Sequence, residues 1–288
     1  MARVYSLSHL TTEGLSPPEM FEVAARTGYR YAGIRLLPAA PGGLAFPLMK
    51  DTSLRRDTRA AIAATGVGIF DLEMIRLDAR FRAEGYLDFF ETGAELGARV
   101  ILVAADDPDP GRLLASYAAL CEAARPFGLA CDLEFMPWTQ VPDLDAARRV
   151  VAQAAQPNGG IIVDALHFDR SGGRPDQLAD LPSDWLHYAQ LCDGPAERPT
   201  DDAELIRAAR CERWLPGEGG IDLAGFWRQL PDDLPVSVEV PNQRRIAELG
   251  HERWAREALR ASRCLIEGLA PRHPTPDPQE EGENSCES

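Results

Sequence analysis

Positive charge and long apolar runs are both scarce in this 288-residue chain. No apolar run reaches the ~20 residues that a membrane-spanning helix needs. The opening MARVYSLSHL has an early Arg but no apolar core segment, so a secretory leader is not expected. Thirty Lys and Arg stand against 45 Asp and Glu, a net charge of -15. Nucleic acids and anionic membranes are bound mainly through clustered Lys and Arg, so neither is an expected partner. A local basic pocket for a small anion stays open. The six cysteines, Cys121, Cys131, Cys192, Cys211, Cys264 and Cys286, form no C-x-x-C pair. Free thiols in a reducing cytoplasm are the expectation, most of them acting as small buried hydrophobes. Internal repeats and an obvious domain linker are also lacking.

What is present is alternation. Eight short runs rich in Val, Ile, Leu or aromatics, each followed by turn residues, read as strands: 3–9, 31–37, 67–75, 99–105, 130–136, 160–166, 185–191 and 235–241. Amphipathic stretches fill the gaps. The first is well signed, with Ser16 as N-cap, Pro17 at the first helical position, Glu19 completing a capping box and Gly28 as the stop. The sixth helix is poorly marked and is placed around RPDQLADL. Trp254, Ala258, Ala261 and Leu265 form one stripe of the last helix. Eight strands alternating with helices predict an α/β fold, a single-domain (β/α)8 TIM barrel over residues 1–270. An open doubly wound sheet would want a Gly-rich turn after the first strand, and SLSHLTTEGLS is not one. Residues 271–288, Pro-rich and then acidic, read as a disordered tail.

Barrel chemistry gathers at the C-terminal ends of strands. Four strands carry a polar side chain there: Glu134 in DLEFMP, Asp164 in VDALH, Gln190 in QLCD and Glu239 in VEVPN. Three buried carboxylates converging without a cation would repel and lose hydration. A divalent cation resolves the conflict, and an all-oxygen donor set favours Mn2+ or Mg2+. The alternative for each carboxylate is a salt bridge to a neighbouring strand. Around the same end lie Arg35, Glu73, Trp138 and Arg198 as candidate substrate contacts. An Arg there suits a substrate carboxylate, against the alternative of an Arg35–Glu73 salt bridge. Trp138 suits a ring, against the alternative of packing beneath a loop.

These motifs, in this order and with the PGEGGID loop between strands seven and eight, resemble the xylose isomerase-like TIM-barrel family of sugar isomerases and epimerases. The resemblance covers about residues 1–270. It implies metal ligation by Glu134, Asp164, Gln190 and Glu239, and contact between His167 and substrate. The family commonly has His at the place of Gln190, so this site departs toward oxygen. Asp193 matches an Asp three residues after that ligand, with loop ordering as the alternative to catalysis. Relatives that cleave DNA use several further His ligands, whereas this chain has five His in all.

The chemistry so implied is proton abstraction beside a carbonyl. Glu134 and Glu239 are the candidate bases and His167 a donor to the developing oxyanion. The first expectation is a metal-dependent isomerase or epimerase of a sugar-like or keto-acid substrate. A second is a dehydratase of a cyclic keto polyol or keto acid, inosose- or dehydroshikimate-like. A third is a non-catalytic barrel that binds a metabolite. The partner is a small molecule. A homo-oligomer is open.

Overall fold

The computed structural model describes residues 3–39 and 42–269; the tail expected over 271–288 lies outside them. Eight parallel strands close into a barrel in sequence order. They are β1 (Tyr5–Leu7), β2 (Tyr31–Arg35), β3 (Gly68–Leu77), β4 (Val100–Ala105), β5 (Ala130–Glu134), β6 (Gly159–Asp164), β7 (Ala189–Leu191) and β8 (Val236–Val238). Each of the eight predicted runs overlaps one strand, with β3 reaching two residues past its run and β6 starting one residue before it. Helices follow: α1 (Pro17–Thr27), α2 (Thr52–Thr65), α3 (Leu87–Leu96), α4 (Pro110–Ala124), α5 (Leu144–Ala154), α6 (Ala165–Arg170), α7 (Asp202–Cys211), α8 (Leu223–Arg228), α9 (Gln243–Leu249) and α10 (His251–Glu267). The chain is a single-domain (β/α)8 barrel.

Strand alternation splits the core in two. Along β4, Ile101, Val103 and Ala105 join the large apolar layer between barrel and helices. Val100, Leu102 and Ala104 join Phe70, Met74, Met136, Ile162 and Tyr188 in a smaller cluster inside the barrel. Along β5 the outer face is Cys131 and Leu133, while buried Asp132 and Glu134 alternate with them. The barrel interior is therefore partly polar, and its upper end carries the acidic side chains.

Local signals work as read for α1. Ser16 N and Oγ both donate to Glu19 Oε2, at 2.9 and 2.6 Å, and Gly28 closes the helix at φ 93°. Trp254 and Ala258 bury the stripe of α10 against the barrel, and the Trp254 indole donates to Val240 O at 2.9 Å.

The sixth helix is a correction. It does not lie at RPDQLADL, where only a 3-10 turn forms over Pro175–Leu178. Instead β6 stops at Asp164, two residues short of the predicted strand end, and α6 starts at once. Asp164 is its N-cap, and its carboxylate accepts the His167 N–H at 2.9 Å. A cap bond worth about 1 kcal/mol thus fixes Asp164 and His167 on successive corners of one strand-to-helix turn.

Candidate active site

Glu134 ends β5, Asp164 ends β6, Gln190 is central in β7, and Glu239 follows β8 by one residue. Parallel pairing sets Asp164 beside Gln190, and Gln190 beside Ser237, two residues before Glu239. All four side chains are buried, Asp164 and Gln190 completely. The barrel brings together the four residues that the sequence singled out.

Sequence reasoning missed the cation among them. Arg213 follows α7 and is buried to 2% exposure. Its Nη1 donates to Asp164 Oδ2 at 2.6 Å and its Nη2 meets Glu239 Oε2 at 3.0 Å. Nε donates to Ala209 O at 2.8 Å, and Asn242 Nδ2 donates to the Arg213 carbonyl at 2.9 Å. Glu239 Oε1 accepts from Ser8 Oγ at 2.7 Å and from Gln190 Nε2 at 3.0 Å. Glu134 has no such support. Among the described residues it makes no hydrogen bond, and His167 Nε2 stands 3.8 Å from its Oε1.

One guanidinium cannot neutralise three carboxylates. Burial and the neighbouring Glu239 and Asp164 push Glu134 well above the usual carboxylate range. Burial likewise raises Glu239 to about 7, although Arg213 works the other way. Burial acts on Asp164 too, but Arg213 and then His167 overcome it, and its carboxyl sits below the ordinary value. His167 is held down at about 4 by burial, so its imidazole is neutral. Two carboxyls pushed up by burial and by their neighbours are what a divalent cation would return toward the ionised form.

The donor set fits such an ion. Gln190 Oε1 is buried with no hydrogen-bond partner among the described residues, an orphaned lone pair in a site where such groups are costly. Ligand atoms of Glu134, Asp164 and His167 lie within 4.8 Å of one another. Glu134, Asp164, Gln190 and Glu239 would supply oxygen alone, and His167 Nε2 stands near enough to offer nitrogen.

A cavity of about 270 Å³ opens over this cluster. Glu134, Glu239, His167, Arg213, Arg35 and Glu73 line its charged side, and Met74, Leu102, Met136 and Trp138 its apolar side. The Trp138 ring meets His167 edge-on, 5.1 Å between centroids. Arg35 and Glu73 form the salt bridge weighed as their alternative role, inside the cavity wall. Ser8 Oγ lies 3.4 Å from Glu73 Oε1, linking that pair to Glu239. Arg198 stands apart. It is exposed, holds Asp169 through Nε at 3.2 Å and Nη2 at 3.1 Å, and does not line the cavity. Asp193 orders the PGEGGID loop. Its carboxylate accepts from the N–H groups of Gly194 at 2.8 Å, Gly217 and Gly219 at 2.9 Å, and Ile221 at 3.3 Å. Gly219 is required there, since a Cβ would collide with Gly194 O and the Asp193 carboxylate.

A family model described as the xylose isomerase-like TIM barrel matches residues 21–265. The chain belongs to that family. Two curated relatives, the 3-dehydroshikimate dehydratases of Pseudomonas aeruginosa and Pseudomonas putida, are 36% and 31% identical to it over 170 residues. Each match covers 56% of this chain and 26% of the relative, so the chain spans only part of those proteins. Among solved structures, the IOLI protein with a zinc atom has a TM-score of 0.75 at 20% identity, covering 93% of this chain and 100% of that one. The 3-keto-D-glucoside 4-epimerase YcjR from E. coli has a TM-score of 0.69 at 17% identity, covering 91% and 100%. At these identities the likeness is one of fold. No described helix is long and apolar enough to cross a membrane.

Proposed function

We propose that the protein is a divalent-metal-dependent enzyme that removes a proton beside a substrate carbonyl, and that its reaction is dehydration of a cyclic keto acid of the 3-dehydroshikimate type. The observation that carries the reading is the excess of buried carboxylate. Glu134 and Glu239 line one cavity, Asp164 lies fully buried beside Glu134, and Arg213, which holds Asp164 and Glu239, is their only ion-paired arginine among the described residues. A barrel that merely binds a metabolite gains nothing from that arrangement, which costs stability. The relatives at 36% and 31% identity favour dehydration over the isomerase or epimerase reading that the motifs alone put first.

Glu134, Asp164, Gln190 and Glu239 would hold the ion. A bound Mn2+ or Mg2+ would polarise the carbonyl and offset the charge that builds on its oxygen. Glu134 is the base that the geometry favours, since no hydrogen bond from the described residues ties its carboxylate and it lines the cavity. Its oxygen takes the proton as the carbon–hydrogen bond breaks. The electron pair enters the enolate and returns to expel the β-hydroxyl, which leaves as water with a returned proton. His167, a neutral donor beside Glu134, stabilises the oxyanion. Trp138 and Met136 wall the ring and exclude water.

The isomerase or epimerase reading remains the second one, because Glu239 offers a further carboxylate on the same cavity. Proton return to carbon, rather than to the leaving hydroxyl, is all that separates the outcomes. Incubation in deuterated water with 3-dehydroshikimate, an inosose and a keto sugar, scored for loss of water against retained water with deuterium, tests both. Loss of water from the cyclic acid is expected. Exchange without water loss would move the assignment to the second reading, and neither water loss nor exchange with any substrate in the presence of Mn2+ or Mg2+ would overturn both.

A further inference from the structure

The arginines that the strand-end loops offer to a substrate are nearly all spoken for. Arg35 is paired with Glu73, Arg76 with Asp106, Arg170 and Arg198 with Asp169, and Arg174 with Asp176. Arg213 is consumed by Asp164 and Glu239. Arg210, on the last turn of α7, is different. It lines the cavity, is half-buried, and makes no hydrogen bond or ion pair among the described residues. The carbonyls at that helix end have other donors, Ala208 O from Glu212 N and Ala209 O from Arg213 Nε. Glu13 lines the same mouth without forming an ion pair with Arg210.

We infer that Arg210 is the specificity-determining residue of this cavity and that it receives the carboxylate of an anionic substrate. The inference rests on the proposed reading of the site as one that enolises a small keto compound, and it assigns the part of the substrate remote from the reacting carbon. A guanidinium left without an acceptor in a partly dry cavity is poorly solvated, and its fork matches the two oxygens of a carboxylate. Burial lowers the Arg210 guanidinium from its ordinary value, and the like charges of Arg76 and Arg35 lower it further. An arriving anion relieves both costs. A neutral sugar relieves neither, so it leaves Arg210 as it is. The cavity thus divides its labour. The carboxylate cluster takes the oxygens beside the carbonyl, the Met74, Met136 and Trp138 wall takes the ring, and Arg210 reads the acid group.

The test uses two rings that differ only in the acid. Both 3,4-dihydroxybenzoate and catechol carry adjacent oxygens; only the first carries a carboxylate. Calorimetric titration of the Mn2+-loaded protein is expected to show the acid binding about tenfold or more tightly than catechol. Arg210→Gln should erase that preference while leaving catechol affinity unchanged, and Arg210→Lys should retain part of it. Retained preference in Arg210→Gln, or equal loss for both rings, would overturn the assignment. Tighter binding of phenyl phosphate than of benzoate would also overturn it, in favour of a phosphorylated substrate. A melting temperature equal to the wild type checks that the variant is folded. Failure of the enolisation reading is a separate result, because it abolishes deuterium exchange in the wild type and leaves the Arg210-dependent preference for the acid intact.

Discussion

Arg213 donates to Asp164 at 2.6 Å from a position 49 residues further along the chain, and the same guanidinium reaches Glu239 at 3.0 Å. This buried fork stands in part for the charge that a metal ion would bring. It ties β6 to the segment after β8 through a residue that belongs to neither. Removal of one partner from such a pair leaves an uncompensated charge and costs about 3–5 kcal/mol. Arg213→Met is therefore expected to lower the melting temperature of the metal-free protein sharply. Added Mn2+ should recover more stability in the variant than in the wild type, because the ion then meets three unpaired carboxylates. Equal gains in both proteins would show that Arg213 and the ion do not share these ligands.

Glu134→Gln keeps an oxygen donor and the side-chain shape but removes the base. Turnover is expected to fall by about 10²–10⁴-fold while binding of 3,4-dihydroxybenzoate stays measurable by calorimetry. Unchanged kcat would assign proton removal to another group.

The lower part of the barrel supplies a pH prediction. His187 Nδ1 lies 2.6 Å from Asp132 Oδ1. That hydrogen bond raises His187 above its ordinary 6.5. Burial raises Asp132 as well, against the influence of His187. Both folded groups hold their protons more tightly than the unfolded chain does. The stability that His187 contributes is complete below the unfolded His value of about 6.5 and is lost as pH rises through the folded one. The melting-temperature difference between wild type and His187→Gln should therefore hold level below about pH 6.5 and shrink as pH rises above it. A difference that grows with pH would show that the pair is neutral when folded.

Asp193→Ala strips the acceptor from the N–H groups of Gly217 and Gly219 together. The expected cost is about 1–3 kcal/mol, read as a lower urea midpoint, with Asp193→Asn intermediate. No change in midpoint would mean that the loop holds its shape without that carboxylate.

The architecture was legible because every strand is a short apolar run closed by turn residues, and the exits of those strands carry the ligand-type side chains. Glu134, Asp164, Gln190 and Glu239 stand out by position, since each is a buried polar side chain at a strand exit where alternation would otherwise place an apolar one. What stayed hidden depends on contacts across the fold. The ALHFDR stretch passes for the end of a strand and a loop in sequence, being six residues long, until the Asp164 cap identifies it as a helix. Arg213 sits in an irregular segment between α7 and a glycine-rich loop, with no periodicity to mark it. The charge balance of three buried carboxylates was the one clue that a buried cation was needed. Arg198 follows the strand-seven Asp closely in sequence, yet Asp169 holds it outside the cavity. Arg210 carries no motif at all and emerges only when every other arginine of the mouth has been given its partner.

Titration of chelator-treated protein with Mn2+, followed by calorimetry, tests the metal centre most directly. Saturable binding of one ion per chain is expected, with loss of binding in Asp164→Ala and Glu239→Ala and proton release as Glu134 and Glu239 ionise. Absence of saturable binding in the wild type, or undiminished binding in both variants, would contradict a metal centre built from these four strand ends.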